Sequence, residues 1–395
     1  MSDMKVLQIS NYIYPNIGGI EQVARDIADT LGTVPGVEQK IICFNTDAGD
    51  GAVVTHQKET VHDTVDGVEV LRCSSFTKVQ SQSLSTSFGR ELRQLMDDFD
   101  PDVVVFHYPN PLEAHYLLSY IHSHRGWERR HKLVLYWHLD IVKQKLLGKL
   151  FHFQTLELLH LASQVVATSP NYIEGSRYLS RFRAKCRVIP NCISANRMAI
   201  TDSIRVRADA LRRQYGEDKI LCFGVGRHIP YKGFTYLVEA SRYLDDRFVI
   251  LIGGKGELTE SLTAQAAGDG KVHLLGRISD EELIACDLAC DIFCFPSVTK
   301  NEAFGIALAE GMSFGKPAVT FTIPGSGVNY VNLNGVTGLE CPNADSRAYA
   351  AALTRLADDA QLRRQYGEAA AQRVQELFLF SQFEANIRGL FSDLC

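Results

Sequence analysis

The sequence lacks the features that define several common classes of protein. Its 10 cysteines include no Cys-x-x-Cys pair, so neither a zinc ribbon nor a redox dithiol is predicted. Free, buried thiols in a reducing cytoplasm are the expected state of these cysteines. No run of about 18 apolar residues occurs, so no membrane-spanning helix is expected. Apolar residues make up 46% of the sequence and charged residues 22%, a balance that excludes a disordered or collagen-like chain.

A large charge excess of one sign is also missing. The chain carries 41 Lys and Arg against 46 Asp and Glu, a net charge of −5, and we predict no nucleic-acid partner. Residues 101–200 nevertheless hold 13 Lys and Arg against 6 Asp and Glu. Their cations cluster in Arg125–Lys132, Lys143–Lys149 and Arg177–Arg187. This stretch is either a solvated basic face or a surface that attracts anionic lipid or a phosphorylated acceptor.

What is present is a repeated pattern of strand, loop and helix over 395 residues. The pattern opens at Met4–Ser10 as a strand, and we expect no targeting segment. Short apolar strands that alternate with amphipathic helices predict a parallel sheet covered on both faces. A break near residues 187–200 separates two such series. We therefore predict an α/β protein of two doubly wound, Rossmann-like domains that face a central cleft, where ligands bind beyond the strand ends.

The strongest local signal is a pair of glutamates, Glu302 and Glu310, eight residues apart. We predict a helix over Ala303–Phe314, which would separate the two carboxylates by ~12 Å along its axis. That span suits a nucleoside diphosphate sugar, with one carboxylate at sugar hydroxyls and the other at ribose hydroxyls. Free amides at Phe304 and Gly305 would suit the diphosphate. The alternative is two exposed glutamates beside a buried apolar stripe.

A second signal is a pair of cations in a glycine-bordered loop. Gly226 and Arg227 follow the predicted strand Ile220–Val225, and Lys232-Gly233 comes five residues later. A planar guanidinium and a compact ammonium both suit a diphosphate. Neither a Gly-x-Gly-x-x-Gly motif nor a Gly-Lys-Ser/Thr motif occurs in this loop, so it matches neither a dinucleotide nor a triphosphatase fingerprint. A solvated loop is the alternative.

Two further signals lie in the first series. Gly18, Gly19 and Glu21 stand between the first strand and first helix, where a helix start offers free amides. A tight turn explains these glycines equally simply.

Polar residues also end two neighbouring predicted strands. His138, Asp140 and Lys143 follow Lys132–Trp137, and His107 ends the strand before it. Such positions are where a site is expected in a parallel sheet, although each histidine is also explained as a hydrogen-bonded structural residue. No metal is predicted, because the histidine-rich stretch His122, His124 and His131 lies in a basic loop without a carboxylate partner pattern.

Together, these motifs resemble the retaining family 4 glycosyltransferases of GT-B architecture, over nearly the whole chain. The ordered set that carries the resemblance is Gly18-Gly19-Ile20-Glu21, His138, Ile189-Pro190-Asn191, Gly226-Arg227 with Lys232-Gly233, and Glu302 with Glu310. Four shorter segments are similar to a bacterial subgroup that builds capsule, exopolysaccharide or O-antigen chains, often with mannose or rhamnose. These segments are His107–Pro111, His138–Lys145, Thr168–Tyr172 and Pro324–Val328.

The resemblance implies that the two domains bind different substrates. Residues 1–195 would form the acceptor-side domain and 196–377 the nucleotide-sugar domain, with a helix in 378–395 packing back on the first. The implied activity is retaining transfer of a hexose from a GDP-, dTDP- or UDP-linked sugar to a growing polysaccharide or lipid-linked oligosaccharide. No metal and no other cofactor would be required. A cytoplasmic protein with reversible contact to the inner face of the anionic membrane is expected.

The resemblance also implies roles for individual residues. Arg227 and Lys232 would hold the diphosphate, Glu310 the ribose, and His138 would lie against the reacting sugar. The other donor-side residues would be Gly18, Gly19, Gly226, Gly276, Arg277, Ile278, Glu302, Ala303, Phe304 and Gly305. The acceptor-side residues would be Glu21, His107, Asp140 and Lys143.

Two alternatives stay open on sequence alone. A GT-B epimerase would act on the nucleotide sugar without an acceptor. A catalytically inactive nucleotide-sugar-binding protein would share the fold, although it would not need both cations and both glutamates.

Overall fold

The computed structural model describes residues 3–16, 18–45, 59–79, 82–140, 148–194 and 198–394. These residues form two compact units. The first consists of Met1–Thr168, Ser176–Ile189 and Glu384–Cys395, and the second of Ser169–Gly175 and Pro190–Phe383. The sequence placed the first boundary at residue 195, but the long segment of the second unit already begins at Pro190. The reason is local: the Ile193 backbone pairs with Phe378 and Phe380 of the second unit.

The first unit is built on an eight-stranded sheet. Its strands are β1 Met4–Ile9, β2 Val37–Phe44, β3 Val61–Val65, β4 Val68–Cys73, β7 Val103–Tyr108, β8 Lys132–Trp137, β9 Gln164–Ala167 and β10 Cys186–Val188. Their order is β10-β9-β8-β7-β1-β2-β4-β3. All neighbours are parallel except β3 and β4, which run antiparallel. A separate antiparallel pair consists of β5 Thr77–Val79 and β6 Gln82–Leu84.

Helices cover this sheet as the repeated pattern predicts. They are α1 Gly19–Gly32, α2 Phe88–Phe99, α3 Pro111–Ser123, α4 Trp127–Arg130 and α5 Gly148–Leu161. Strand β7 is buried along its whole length, as expected for a strand covered on both faces. The last helix of the chain, α15 Phe380–Leu394, returns to the first unit. There Arg187 forms an ion pair with Asp393, at 2.7 Å.

The second unit contains a six-stranded, fully parallel sheet. Its strands are β11 Ile220–Val225, β12 Phe248–Gly253, β13 Val272–Gly276, β14 Ile292–Phe295, β15 Ala318–Phe321 and β16 Gly338–Cys341. The order is β13-β12-β11-β14-β15-β16, so the chain starts in the middle and winds outward in both directions. Both units are therefore doubly wound and Rossmann-like, as the alternating pattern predicted.

The helices of the second unit complete its two outer layers. They are α6 Pro170–Gly175, α7 Asp202–Tyr215, α8 Phe234–Ala240, α9 Thr259–Ala266, α10 Asp280–Ala289, α11 Ile306–Ser313, α12 Val328–Val331, α13 Ser346–Asp358 and α14 Ala360–Leu377. Within the described part of the chain, no helix combines the length and apolar character needed to cross a membrane.

Candidate active site

Three strands of the first unit end side by side and bring polar side chains together. In the sheet, β1 lies beside β7, and β7 lies beside β8; Ile9 is opposite Phe106, and His107 is opposite Tyr136. Gln8 on β1, His107 on β7 and His138 just after β8 therefore meet at the carboxyl edge. Two of these residues, His107 and His138, were predicted from the sequence.

These side chains form a continuous hydrogen-bonded chain. The His107 Nδ1 and His138 Nε2 atoms are 3.0 Å apart, and His107 Nε2 is 3.0 Å from Gln8 Oε1. Gln8 Nε2 donates to the Ala24 carbonyl in α1 at 3.2 Å. Burial disfavours the charged imidazoles: it lowers the pKa of His107 to about 3 and the pKa of His138 well below its usual value. The hydrogen-bonded side chains of Gln8, His107 and His138 are thus all neutral near pH 7.

Gln8 is a residue that sequence reasoning missed. A signal was available, because Gln8 interrupts the apolar run of β1 and is fully buried. Buried side-chain amides are almost always hydrogen-bonded, so a glutamine inside a parallel strand indicates a polar partner on a neighbouring strand.

Asp140 is buried and engaged with its own neighbourhood. Its Oδ1 accepts hydrogen bonds from Trp137 Nε1 at 3.0 Å and from Ser176 Oγ at 2.8 Å. The Trp137 ring stacks on Tyr108, with centroids 3.9 Å apart. Asp140 therefore anchors the segment that carries His138, and its acceptor-side role stays a prediction. Lys143 lies outside the described residues.

The glycine pair of the first unit lies at the start of α1. The helix begins at Gly19, and Gly18 is its extended N-cap residue. The Glu21 carboxylate lies against Gly18: a Cβ on Gly18 would meet Glu21 Oε2 at 2.3 Å. Arg72 steadies the preceding loop, because its Nη2 donates to the Tyr14 carbonyl at 2.5 Å. The predicted contacts of Gly18, Gly19 and Glu21 with ligands stay predictions.

Three loops of the second unit are joined by backbone hydrogen bonds where β11, β12 and β13 end. Gly226 N donates to the Gly253 carbonyl at 3.1 Å, and Gly254 N donates to the Gly276 carbonyl at 2.7 Å. Gly254 has a φ of +120°, and a Cβ there would come within 1.9 Å of the Gly226 carbonyl oxygen. Only glycine permits this close approach. Ile278 packs over Gly253, since its Cδ1 would lie 2.9 Å from a Cβ at that position.

These three loops present cations. Arg227, Lys255 and Arg277 are exposed, one on each loop. Among the described residues, none of the three has an ion-pair partner. Lys255 was missed by sequence reasoning, although its setting, Gly253-Gly254-Lys255-Gly256 after a strand, is a recognisable glycine-rich loop. The edge therefore carries more positive charge than the predicted pair supplies.

Lys232 and Glu302 are in direct contact. Lys232 Nζ lies 2.5 Å from Glu302 Oε2, and the side chains are 15% and 11% exposed. Ser297 Oγ donates to the same carboxylate oxygen at 3.0 Å, and the Lys232 ammonium lies 5.1 Å from the Phe295 ring centroid. Gly233, at φ +68°, lets the loop approach β14, because a Cβ there would lie 2.0 Å from the Pro296 carbonyl oxygen.

The predicted helix over Ala303–Phe314 is wrong at its start. Helix α11 begins at Ile306, because Gly305 adopts a left-handed conformation, with φ +96°, and ends the preceding turn. The Phe304 side chain is buried and packs against Phe378, with ring centroids 5.3 Å apart. Glu302 thus lies in a turn before the helix, and the axial separation of ~12 Å expected for one continuous helix does not apply.

A neighbouring loop holds the Glu302 turn in place. Ser326 Oγ donates to the Glu302 carbonyl, and Gly327 lies so close that a Cβ would be 2.0 Å from the Ala303 carbonyl oxygen. The segment Pro324–Val328, singled out in the sequence, therefore supports the backbone that presents Glu302.

Glu310 lies within α11 and is 5% exposed. Its charge acts on a buried acid, Asp287, in α10. Burial raises the pKa of Asp287 well above its usual value, and the Glu310 charge raises it further while Lys316 lowers it. Both Asp287 carboxyl oxygens lack a hydrogen-bond partner among the described residues, which fits a protonated acid. Asp287 was not anticipated from the sequence.

Comparison with known proteins then identifies the family. Residues 208–373 match the family model "Glycosyl transferases group 1", and residues 17–197 match "Glycosyltransferase Family 4". The chain is 31% identical over 378 residues to D-rhamnosyltransferase WbpZ of Pseudomonas aeruginosa, covering 95% of this chain and 92% of the relative. The chain belongs to the family 4 glycosyltransferases, of the O-antigen type.

Two further likenesses agree with this assignment. O-antigen chain mannosyltransferase C of Escherichia coli is 30% identical over 378 residues, covering 95% of this chain and 94% of the relative. The solved structure of Anabaena Alr3699/HepE in complex with UDP and glucose covers 98% of this glycosyltransferase and 99% of that chain. Its TM-score is 0.73 at 18% identity, a likeness of fold. The fold is GT-B, as predicted.

Within the described residues of this glycosyltransferase, no group of three or more His, Cys, Asp or Glu side chains is placed to hold a metal ion. The predicted site residues form two sets. His107 and His138 meet in the first unit, and Arg227, Lys232, Gly276, Arg277 and Glu302 lie on strand-end loops of the second.

Proposed function

We propose that this glycosyltransferase moves a hexose, with mannose or rhamnose favoured, from a nucleotide sugar to a growing polysaccharide or lipid-linked oligosaccharide. The favoured sugars follow the D-rhamnosyl- and mannosyltransferase relatives, each about 30% identical over nearly the whole chain. Capsule, exopolysaccharide and O-antigen chains are the proposed class of product.

The observation that carries the proposal is the contact between Lys232 and Glu302 on loops next to Arg227. A cation suited to a diphosphate and a carboxylate suited to sugar hydroxyls lie side by side at the carboxyl edge of a parallel sheet. A nucleoside diphosphate sugar needs both kinds of group at neighbouring positions. Solved neighbours hold UDP and UDP-glucose, which supports a nucleotide-linked donor of the same class.

The proposed chemistry begins with cleavage of the bond between the sugar C1 and the diphosphate. The electron pair leaves with the nucleoside diphosphate, and Arg227 and Lys232 stabilise the charge that develops there. The acceptor hydroxyl attacks C1 from the same face, and its proton passes to the departing diphosphate. Glu302 orients the sugar and forms no covalent intermediate, so the anomeric configuration of the donor is retained.

The proposal includes no metal and no resident cofactor. Positive charge for the leaving diphosphate comes from Arg227 and Lys232, assisted by Lys255 and Arg277 on adjacent loops. The start of α11 at Ile306, four residues after Glu302 in the sequence, adds a positive helix end. The nucleotide sugar is a substrate, with GDP, dTDP and UDP as the candidate carriers.

The decisive assay offers the purified protein GDP-, dTDP- and UDP-linked hexoses, with and without a lipid-linked oligosaccharide, in EDTA and in Mg²⁺. We expect one carrier to support acceptor-dependent transfer that persists in EDTA. Conversion of the donor to an epimer without acceptor would identify an epimerase. Nucleotide binding with neither transfer nor donor hydrolysis would identify an inactive binding protein, and loss of transfer in EDTA with recovery in Mg²⁺ would refute metal independence.

A further inference from the structure

The protonation of His138 is set by a hydrogen-bonded chain that starts at a backbone carbonyl. The Ala24 carbonyl can only accept, so the Gln8 atom 3.2 Å from it must be the amide nitrogen. The Gln8 carbonyl oxygen, Oε1, therefore faces His107 Nε2 at 3.0 Å. This fixes the orientation of the amide without any assumption about the histidines.

The next link fixes His107. Gln8 Oε1 accepts only, so His107 Nε2 carries a hydrogen. Burial holds the pKa of His107 at about 3, so the ring is neutral near pH 7 and carries one N–H. His107 Nδ1 therefore has a lone pair, and it lies 3.0 Å from His138 Nε2.

The same reasoning applied once more fixes His138. His107 Nδ1 accepts, so His138 Nε2 carries the hydrogen. The His138 ring is 6% exposed, and burial lowers its pKa well below the usual value, so it too is neutral. The remaining nitrogen, Nδ1, is unprotonated. The planes of the two rings are within 12° of parallel, and the Tyr136 ring lies beside both, with ring centroids 5.7 and 5.2 Å away.

We propose that Gln8 and His107 are positioning residues that hold His138 in its Nε2–H tautomer, so that His138 Nδ1 accepts a hydrogen bond from a hydroxyl of the substrate sugar. The statement about the sugar rests on the proposed function; the tautomer does not. His138 in this state orients a hydroxyl group and delivers no proton to the leaving group. The fixed tautomer also selects for a hydroxyl over a group that only accepts hydrogen bonds.

The direct test is the ¹⁵N spectrum of the protein labelled in its histidines, read through the couplings between ring nitrogens and ring carbon-bound hydrogens at pH 7.5. His107→Asn and His138→Asn proteins identify the two resonance sets by their loss. We expect both rings to be neutral with the hydrogen on Nε2. A hydrogen on His138 Nδ1, or a doubly protonated ring, would overturn the inference whether or not the protein is active.

The Gln8→Met variant tests the first side chain of the hydrogen-bonded series Gln8–His107–His138. Without the Gln8 amide, His107 loses the acceptor for its Nε2 hydrogen and can carry that hydrogen on its own Nδ1 instead. The hydrogen bond between the two rings then reverses, so that His107 donates to His138 Nε2. The hydrogen of His138 consequently moves to its Nδ1. We expect roughly tenfold lower kcat, the effect of one lost or misdirected hydrogen bond, with unchanged affinity for the free nucleoside diphosphate. A His138 spectrum that is unchanged in Gln8→Met would refute the positioning role of Gln8.

Gln39 provides a matched control for the Gln8→Met variant. Its Nε2 donates to the Ala28 carbonyl, in the same helix α1, at 2.8 Å, and it contacts neither histidine. Gln39→Met removes a comparable bond to α1 and is expected to leave kcat and the His138 tautomer unchanged. An equal fall of kcat in Gln39→Met would show that the loss of a bond to α1, and not the loss of the hydrogen bond to His107, lowers kcat in Gln8→Met.

A second pair of variants separates hydrogen bonding from packing at the middle of the chain. The Asn Oδ1 of His107→Asn can accept from His138 Nε2–H near the position of the lost Nδ1, whereas His107→Leu offers no acceptor. We expect His107→Asn to retain most of the wild-type kcat and His107→Leu to lose roughly tenfold. Equal kcat in the two variants would contradict the proposal.

Discussion

The two units use opposite kinds of polar chemistry at the same place in the same fold. At the carboxyl edge of the first sheet, Gln8, His107 and His138 form a buried chain without charge. At the carboxyl edge of the second, Lys232 and Glu302 form an ion pair, and Arg227, Lys255 and Arg277 stand exposed nearby.

The difference shows how a doubly wound sheet is adapted to two tasks. In the neutral, buried series Gln8–His107–His138, each residue determines which nitrogen of the next carries its hydrogen. The series therefore fixes the direction of the hydrogen bond that His138 can make. Exposed cations on glycine-rich loops attract an anion and can adjust to it. We therefore propose that the first unit helps to orient the sugar through His138, whereas the second binds the diphosphate and orients the sugar through Glu302.

The largest effect is expected for Lys232→Ala. This change removes a charge-assisted contact to the diphosphate, worth about 1.5–3 kcal/mol, so nucleotide affinity should fall roughly tenfold or more. It also leaves the buried Glu302 carboxylate without its cation and with a hydrogen bond from Ser297, which should lower turnover further and reduce thermal stability. Calorimetry with the nucleoside diphosphate and a transfer assay measure the two effects. Unchanged nucleotide affinity would remove Lys232 from the diphosphate site.

Glu302→Gln should separate sugar chemistry from nucleotide binding. The amide keeps the size of the side chain but removes its charge, which frees Lys232 from its ion pair. We expect the free nucleoside diphosphate to bind at least as tightly as in the wild type while kcat falls, because the lost contact is to the reacting sugar. Parallel loss of affinity and kcat would instead place Glu302 at the nucleotide.

Arg227→Ala tests whether the exposed cations of the second unit act as a site or as general positive charge. We expect nucleotide affinity to fall roughly tenfold, the range for a charge-assisted hydrogen bond. Arg213→Ala is the matched control, since Arg213 is an exposed arginine on α7 of the same unit. The same loss in both variants, measured by calorimetry at one salt concentration, would show that net charge and not position is responsible.

The smallest effect concerns the basic stretch of the first unit. Lys185 donates to the carbonyls of Leu159, His160 and Ala162, so part of the stretch serves the fold. Arg125, Arg129 and Arg130 are exposed, and we propose that they attract anionic membranes reversibly.

Changing these three arginines to glutamine should weaken sedimentation with anionic liposomes at low salt and leave neutral liposomes unaffected. The control carries the same change at three exposed arginines of the second unit, Arg205, Arg213 and Arg242. Equal binding of wild type to neutral and anionic liposomes would contradict membrane attraction.

Much of the fold could be read from the sequence because parallel strands covered on both faces are nearly continuous apolar runs. The predicted strands Lys132–Trp137 and Ile220–Val225 match β8 and β11 residue for residue. Strand β3 escaped prediction: Val61–Val65 is an edge strand with alternating exposure and carries little apolar signal. The helix start at Ile306 was missed because a left-handed glycine, Gly305, sits inside a helical periodicity.

The candidate site was predictable in the placement of Arg227 and Lys232 after β11, because charge and glycine mark that strand end; the roles of the two residues stay predictions. It was not predictable where function depends on which side chains meet across the sheet. The Gln8–His107 contact joins residues 99 positions apart, and the Lys232–Glu302 contact joins residues 70 positions apart. Such pairings depend on strand order and register, which local patterns in one sequence do not contain.

The anomeric configuration of the product tests the central claim most directly. Proton NMR of the transfer reaction, followed from the first turnover, reports whether the new glycosidic bond has the configuration of the nucleotide sugar. In the proposed mechanism, Glu302 and His138 orient the sugar, and Arg227 and Lys232 stabilise the diphosphate as it leaves from the face that the acceptor attacks. This mechanism predicts that the product retains the anomeric configuration of the donor. A product with the inverted configuration would contradict it.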